Sequence, residues 1–215
     1  VRLDAFSNPR KVGIIAIDLE ENDRLLGVQM TTGTDEVILS TEQGMAIRFD
    51  ERDVRPMGRT ARGVSGVNLA EGDRVIGMVA TRADSQLLTV TENGYGKRTP
   101  VEAYRKIRRG GKGVIDIQTS KRNGKVVAVM EVREDDEIMM ITQKGMAIRT
   151  PVAGIREISR NTQGVRLIRL NDDDRVVAAA KICETNGGNG NGSSNDNGND
   201  NNNGTDEEIP NRIET

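Results

Sequence analysis

The stretch TEQGMAIR at residues 41–48 returns as TENGYGKR at residues 91–98 and again as TQKGMAIR at residues 142–149. Each copy has glycine at its fourth position and arginine at its eighth, and a further glycine follows 15 residues after each arginine. The chain therefore repeats with a period of about fifty residues. Such a period, made of short strands, is typical of a blade-type array, because one unit cannot bury its apolar face alone and must stack on its neighbours.

The apolar pattern predicts four short strands in each copy. In the first copy, residues 14–19 alternate with the period of a half-buried strand, and further strands are predicted at residues 24–32, 36–40 and 45–49. Gly44 supplies the positive φ of a hairpin turn between the last two strands. We expect an all-β, propeller-like fold of four-stranded blades, each about fifty residues long.

Glycines in equivalent positions open the successive copies and divide the chain. The predicted segments are residues 1–12 (partial), 13–62, 63–112, 113–163 and 164–183 (partial). Residues 1–6 align with residues 99–104, so the chain begins inside a repeat. We therefore expect an array that is incomplete at its N-terminus.

The last part of the chain, residues 184–215, differs from the rest in composition. It has ten asparagines and few apolar residues, so we expect it to be disordered. It also has seven acidic residues against the single Arg212, which leaves residues 1–183 with a net charge of +4. A tethered acidic tail of this kind is expected to compete for whatever ligand the basic part binds.

The residue inventory excludes several kinds of chemistry. The chain has no histidine and only one cysteine, Cys183, which excludes a His or Cys catalytic dyad, a typical zinc site and an intrachain disulfide. No apolar run approaches the roughly 20 residues of a membrane span. A cytoplasmic protein with no membrane contact is the expectation.

Arginine recurs in register at two positions of the repeat. One set ends the fourth strand, and the other lies four residues before the opening glycine of the next copy: Arg48, Arg98 and Arg149, then Arg59, Arg109 and Arg160. Equivalent positions in stacked blades predict a belt of positive charge that suits the phosphates of a bent polyanion. The alternative is that these arginines pair with the abundant Asp and Glu residues or simply keep the rim solvated.

The densest basic segment is IRRGGKG at residues 107–113, preceded by Arg105 and Lys106. Its three glycines are expected to expose backbone N–H groups that cradle a phosphate, while its cations supply charge. The segment is not a nucleotide P-loop, because it lacks the Gly-x-x-x-x-Gly-Lys-Ser/Thr spacing.

The segment RRGGKG at residues 108–113 resembles the basic box of the C-terminal domain of bacterial DNA gyrase A. The strings NGYGKRT (93–99), RNTQGV (160–165) and IMMIT (138–142) support the resemblance, which extends over about residues 3–183. The family implies a β-pinwheel, a propeller-like disc of six blades that wraps duplex DNA on its rim and directs negative supercoiling. Two departures stand out: Ile107 replaces the glutamine that begins the family's box, and the segment opens a later blade, so the principal box is expected upstream.

The resemblance implies a non-catalytic DNA-wrapping part of an ATP-dependent type II topoisomerase. No cofactor is expected in this chain, since ATP and Mg²⁺ act in other parts of the parent enzyme, and neither tyrosine matches the DNA-cleaving one. Gyrase B and a second copy of gyrase A are the implied partners, in the cytoplasm and at the nucleoid. The alternatives are the related C-terminal domain of the topoisomerase IV A protein and a protein-binding β-propeller scaffold. The predicted DNA-binding residues are Arg48, Arg59, Arg62, Lys97, Arg98, Arg105, Lys106, Arg108, Arg109, Gly110, Gly111, Lys112, Gly113, Arg149 and Arg160.

Overall fold

The computed structural model describes residues 1–81 and 84–182, so Cys183 and the predicted disordered tail lie outside the described residues. The described residues form eleven strands: β1 (Glu36–Thr41), β2 (Met45–Asp50), β3 (Val75–Thr81), β4 (Gln86–Thr91), β5 (Tyr95–Pro100), β6 (Val114–Ile115), β7 (Val126–Val132), β8 (Glu137–Thr142), β9 (Ala147–Pro151), β10 (Val165–Arg166) and β11 (Val176–Ile182). Short 3₁₀ turns lie at Leu3–Phe6, Glu51–Asp53, Val101–Ala103 and Val152–Gly154. No helix in this part of the chain is long and apolar enough to span a membrane.

The recurring eight-residue stretch forms the turn and second strand of a hairpin in each copy. The antiparallel hairpins are β1–β2, β4–β5 and β8–β9. In the first hairpin Gly44 lies in the turn at φ +87°, a backbone conformation that residues with a Cβ adopt only with strain. The register places the first arginine set in equivalent pairs, with Arg48 opposite Ile38 and Arg98 opposite Leu88. The predicted hairpins are confirmed.

Each four-stranded sheet is assembled from three successive copies. The first sheet has the order β3-β1-β2-β6, and the second has the order β10-β5-β4-β7. In both, a hairpin from one copy pairs with a long strand from the next copy and with a two-residue strand from the copy after that. The third sheet, β11-β8-β9, follows the same pattern with three strands in the described residues. The all-β fold of four-stranded blades is confirmed, and successive blades are linked by strand exchange.

The prediction of strands at residues 14–19 and 24–32 is wrong, because neither segment forms a strand in the structure. Their equivalents in later copies form strands only by pairing with hairpins of earlier copies, and residues 1–23 contain no hairpin to pair with. Apolar side chains of the second segment are consequently exposed, with Val28 at 77% and Met30 at 66%.

The apolar core lies between successive sheets. Leu88 and Val90 of the second sheet pack with Ile138 and Met140 of the third, and all four are fully buried. The strand β7 packs against both β3 and β11, so these three strands form the inner edge. The short strands β6 and β10 lie at the opposite edge of their sheets. We call these two strands, with the loops 105–113 and 156–164 that lead into them, the outer edge.

Candidate nucleic-acid interface

Arg48 and Arg98 of the first arginine set tie their hairpins to the following copy. Arg48 donates from Nε to Glu36 Oε2 at 2.5 Å and from Nη1 to the carbonyls of Val101 and Tyr104 at 2.7 and 3.0 Å. Its side chain is 15% exposed. It therefore fastens β2 to the 3₁₀ turn of the next copy.

Arg98 repeats this arrangement in the second hairpin, whereas Arg149 pairs within its own hairpin. Arg98 donates to the Ile155 carbonyl at 2.6 Å and to Gln86 at 3.1 Å, and its side chain is 10% exposed. Arg149 pairs with Glu137 and is half exposed. The prediction of an exposed belt is therefore wrong for Arg48 and Arg98, because carbonyl and side-chain partners between the copies bury both guanidinium groups.

Arg109 and Arg160 of the second arginine set tie their copies to the preceding one, whereas the contact of Arg59 lies within its own copy. Arg109 donates to the carbonyls of Asp53 and Ser65, both at 2.8 Å. The equivalent contacts run from Arg160 to Ala103 and Ile115 at 2.7 and 3.0 Å and from Arg59 to Ile15 at 2.8 Å. The fold itself thus accounts for arginine at these positions, but the acceptors are backbone carbonyls and not the Asp and Glu side chains of the alternative.

Lys97 is buried, which is a second correction to the predicted DNA-binding set. Its ammonium lies 3.0 Å from Asp116 Oδ1 and 2.6 Å from Thr99 Oγ1, and Lys97 is 0% exposed. Asp116 also accepts from Tyr104 Oη at 2.5 Å and from Thr89 Oγ1 at 2.7 Å. Burial lowers the pKa of Lys97, and the charge of Asp116 opposes that effect. Burial and then the Asp116 charge raise the pKa of Tyr104.

The glycines of the basic segment serve close packing. The N–H of Gly110 donates to the Gly66 carbonyl at 2.7 Å, and the carbonyl of Gly111 accepts from the Asn68 N–H at 2.9 Å. A Cβ on Gly113 would lie 2.3 Å from the Ala46 carbonyl oxygen. The predicted phosphate cradle is therefore wrong at Gly110, whose N–H already has a partner.

Three cations of this segment are exposed: Arg105, Arg108 and Lys112. Within residues 1–81 and 84–182, none of them forms a hydrogen bond or an ion pair. Their predicted neighbour Lys106 instead pairs with Glu36 at 3.0 Å. Arg62 pairs with Asp18 and Glu20 at 3.2 and 3.6 Å. The three unpaired cations are the part of the predicted site that is available to a ligand at the outer edge.

The structure also shows a basic cluster that the repeat pattern conceals. In the β10–β5 pair Arg166 lies opposite Tyr95 and donates from Nη2 to the tyrosine hydroxyl at 2.9 Å. The guanidinium carbons of Arg166 and Arg122 lie 5.4 and 4.8 Å from the ring centroid of Tyr95. Arg169 lines the same surface hollow. We call Tyr95, Arg122, Arg166 and Arg169 the Tyr95 cluster.

A signal for this cluster is present in the sequence as a departure from the repeat. The turns at residues 22–23, 72–73 and 172–174 are acidic, whereas the equivalent turn contains Lys121 and Arg122. A search for cations in register passes over such residues. No group of three or more His, Cys, Asp or Glu side chains within residues 1–81 and 84–182 is placed to hold a metal ion.

Comparison with known proteins gives one consistent family. The model of the DNA gyrase C-terminal domain, a beta-propeller, matches residues 1–32, 35–82, 85–133 and 136–183. The DNA gyrase A protein of Buchnera aphidicola is 60% identical over 182 residues, which cover 85% of this chain and 22% of that protein. That of Clostridium acetobutylicum is 51% identical over 177 residues, which cover 82% and 21%. The chain thus spans about a fifth of the length of the curated relatives it matches.

Two solved structures are similar over most of the chain. The C-terminal domain of DNA gyrase A superposes with a TM-score of 0.74 at 32% identity, covering 80% of this chain and 59% of that one. The C-terminal domain of DNA topoisomerase IV superposes with a TM-score of 0.79 at 27% identity, covering 84% and 57%.

Proposed function

This chain belongs to the C-terminal domain family of DNA gyrase A, and on that premise we propose that its folded part binds duplex DNA and wraps it along the outer edge. The observation that carries the proposal is the set of exposed, unpaired cations Arg105, Arg108 and Lys112. Cations without acidic partners attract phosphates and release counterions from DNA, which is a sequence-independent source of affinity. Wrapping then rests on phosphate contacts rather than on base recognition.

We further propose that the chain has no catalytic step of its own and serves a parent type II topoisomerase that introduces negative supercoils. ATP and Mg²⁺ act in other parts of that enzyme, which also meet gyrase B and a second copy of gyrase A, in the cytoplasm at the nucleoid and away from membranes. Tyr95 and Tyr104 are 6% and 1% exposed, and each hydroxyl is hydrogen-bonded within the fold. This supports a structural role for both rather than attack on DNA.

Duplex binding by the 215-residue chain, measured by fluorescence anisotropy over a series of salt concentrations, tests the proposal. The double variant Arg108→Gln/Lys112→Gln removes two of the available cations. The negative slope of log K against log salt is therefore expected to become shallower by about two. The matched control, Arg10→Gln/Arg24→Gln, removes two exposed cations from a segment without strands and is expected to keep the wild-type slope. Equal slopes for the two double variants would refute the assignment of these cations.

Wrapping has a separate readout. Nicked circular DNA that is ligated in the presence of a wrapping protein keeps a changed linking number after the protein is removed. We expect such a change for the wild-type chain and a smaller one for Arg108→Gln/Lys112→Gln. Binding that is absent or insensitive to salt would instead favour a protein-binding scaffold.

A further inference from the structure

The Tyr95 cluster is specific to one sheet, whereas the arginine contacts between copies recur along the chain. The tyrosine stands where the other hairpins have Met45 and Met146. Its partner Arg166 stands where β6 has Ile115, which pairs with Met45 in the first sheet. The first sheet therefore makes the same strand pairing with two apolar residues. Packing of the sheets does not require this cluster.

Two other members also depart from the repeat toward positive charge. Arg169 occupies the position of Asp18, Asn68 and Gln118 in the earlier copies. Arg122 lies in the one turn that has an additional residue and is basic. Two separate segments of the chain, the turn at Arg122 and residues 166–169, thus place three cations around one tyrosine.

The positive charge of the cluster is not neutralised within the described residues. Arg122 has the Gln163 amide oxygen at 3.4 Å, and Arg166 has the Tyr95 hydroxyl. Glu92, in the turn that precedes Tyr95, accepts from the Lys125 backbone N–H at 3.0 Å and from Arg175 at 3.5 Å. Arg166 and then Arg122 lower the pKa of Tyr95, because both place positive charge beside its hydroxyl.

Three arginines around one hollow suit an oxyanion. The cluster lines a surface hollow of about 320 Å³ together with Asn93. Guanidinium groups bind phosphate through paired N–H donors, and a tyrosine that orients them reduces the entropy lost on binding. Because β10 lies at the outer edge, the hollow occupies the same edge of the second sheet as Arg108 and Lys112 occupy in the first.

We propose that the Tyr95 cluster is a subsite for a backbone phosphate of duplex DNA, held by Arg122, Arg166 and Arg169. This inference rests on the proposed function and deepens it, since it gives the duplex a second anchor one sheet beyond the basic segment. Wrapping around successive sheets needs an anchor on each of them. In the second sheet the cluster takes the place that the basic segment has in the first.

The first test uses the same salt series on the full chain. Arg166→Gln/Arg169→Gln is expected to make the negative slope shallower by about one to two relative to Arg10→Gln/Arg24→Gln. Each lost phosphate contact reduces its magnitude by about 0.9. If this slope equals that of the control while Arg108→Gln/Lys112→Gln reduces the magnitude of the slope, the subsite is refuted and DNA binding stands. If the wild-type chain does not bind duplex at all, both proposals fail.

The second test reports on the site itself. The chain has two tyrosines, and Tyr104 has the higher pKa, so the first tyrosine absorbance step in an alkaline titration belongs to Tyr95. The variant Tyr95→Phe is expected to remove that step. A phosphate bound between the arginines offsets their charge, so saturating duplex is expected to shift the step to higher pH in the wild type and in Arg108→Gln/Lys112→Gln.

Two other probes separate the possible ligands. Inorganic pyrophosphate carries the same chemistry without a duplex, and polyglutamate represents an acidic protein segment. A shift of the Tyr95 absorbance step with pyrophosphate but not with duplex would assign the subsite to a free phosphate compound. A shift of that step with polyglutamate alone would assign the subsite to an acidic protein. Either result overturns the proposal.

Discussion

Replacement of Asp116 by leucine is the most direct test of the interior beside the basic segment. Asp116 is 1% exposed and accepts hydrogen bonds from Lys97, Tyr104 and Thr89. The variant leaves the Lys97 ammonium, which is 0% exposed, with Thr99 as its remaining partner. Removal of one member of a buried ion pair costs about 3–5 kcal/mol, so we expect a loss of that size in the free energy of unfolding.

The double variant Lys97→Ile/Asp116→Leu isolates the charge. The next copy has Ile148 and Leu167 at the equivalent positions, and both pack against the apolar core. The double variant removes the buried cation but, like Asp116→Leu, leaves the hydroxyls of Tyr104 and Thr89 without this acceptor, at about 1–3 kcal/mol each. We expect it to be more stable than Asp116→Leu alone by roughly 2 kcal/mol.

Urea unfolding followed by circular dichroism, at neutral pH and at a mildly alkaline pH, measures both effects. Burial already lowers the pKa of Lys97, and loss of Asp116 lowers it further. The folded Asp116→Leu variant then binds fewer protons than its unfolded chain, so its stability rises with pH below the unfolded lysine pKa. The double variant has no such lysine and lacks the rise.

A matched surface substitution sets the baseline. The Arg2–Asp4 pair is 78% and 65% exposed, so Arg2→Gln is expected to leave the urea midpoint unchanged. The reasoning is refuted if Asp116→Leu costs less than about 1 kcal/mol, or if the single and double variants share one pH dependence.

Two further predictions concern the junctions between copies. Partial burial opposes ionisation of Glu36, but hydrogen bonds from Lys106 and Arg48 outweigh it and hold its pKa below the ordinary 4.5. This contribution is present above pH 4.5 and is lost as the pH falls below it, so Glu36→Gln is expected to flatten the acid limb of a Tm-against-pH curve; an unchanged limb contradicts this. Gly113 and Gly145 both have positive φ, at +77° and +85°, but only Gly113 would place a Cβ within 4 Å of a neighbour. Alanine at either position adds about 1–3 kcal/mol of backbone strain, and thermal unfolding is expected to show a larger loss for Gly113→Ala; equal losses would show that the contact relaxes freely.

The hairpins were predictable because their determinants are local. Predicted strands at residues 36–40 and 45–49 correspond to β1 and β2 to within one residue at their ends, since short apolar runs and one turn glycine define both. Residues 24–32 have the same local pattern as β3, yet they form no strand. A strand at a sheet edge exists only with a partner, and strand exchange places that partner in another copy. The local periodicity of a segment carries no information about whether such a partner strand is present.

The same distinction between local and non-local determinants separates the site residues that the sequence predicted correctly from those it did not. Recurrence in register identified arginines such as Arg48 and Arg109, and a residue that recurs in every copy must serve an environment that every copy shares. In this fold that environment is the junction between copies, where Arg48 donates to the Val101 carbonyl and Arg109 to the Asp53 carbonyl. A ligand along the outer edge meets the copies one at a time, so departures from the repeat carry the information about binding. Arg166 in place of Ile115, opposite Tyr95 in place of Met45, is such a departure, and alignment of the copies by their shared residues hides it.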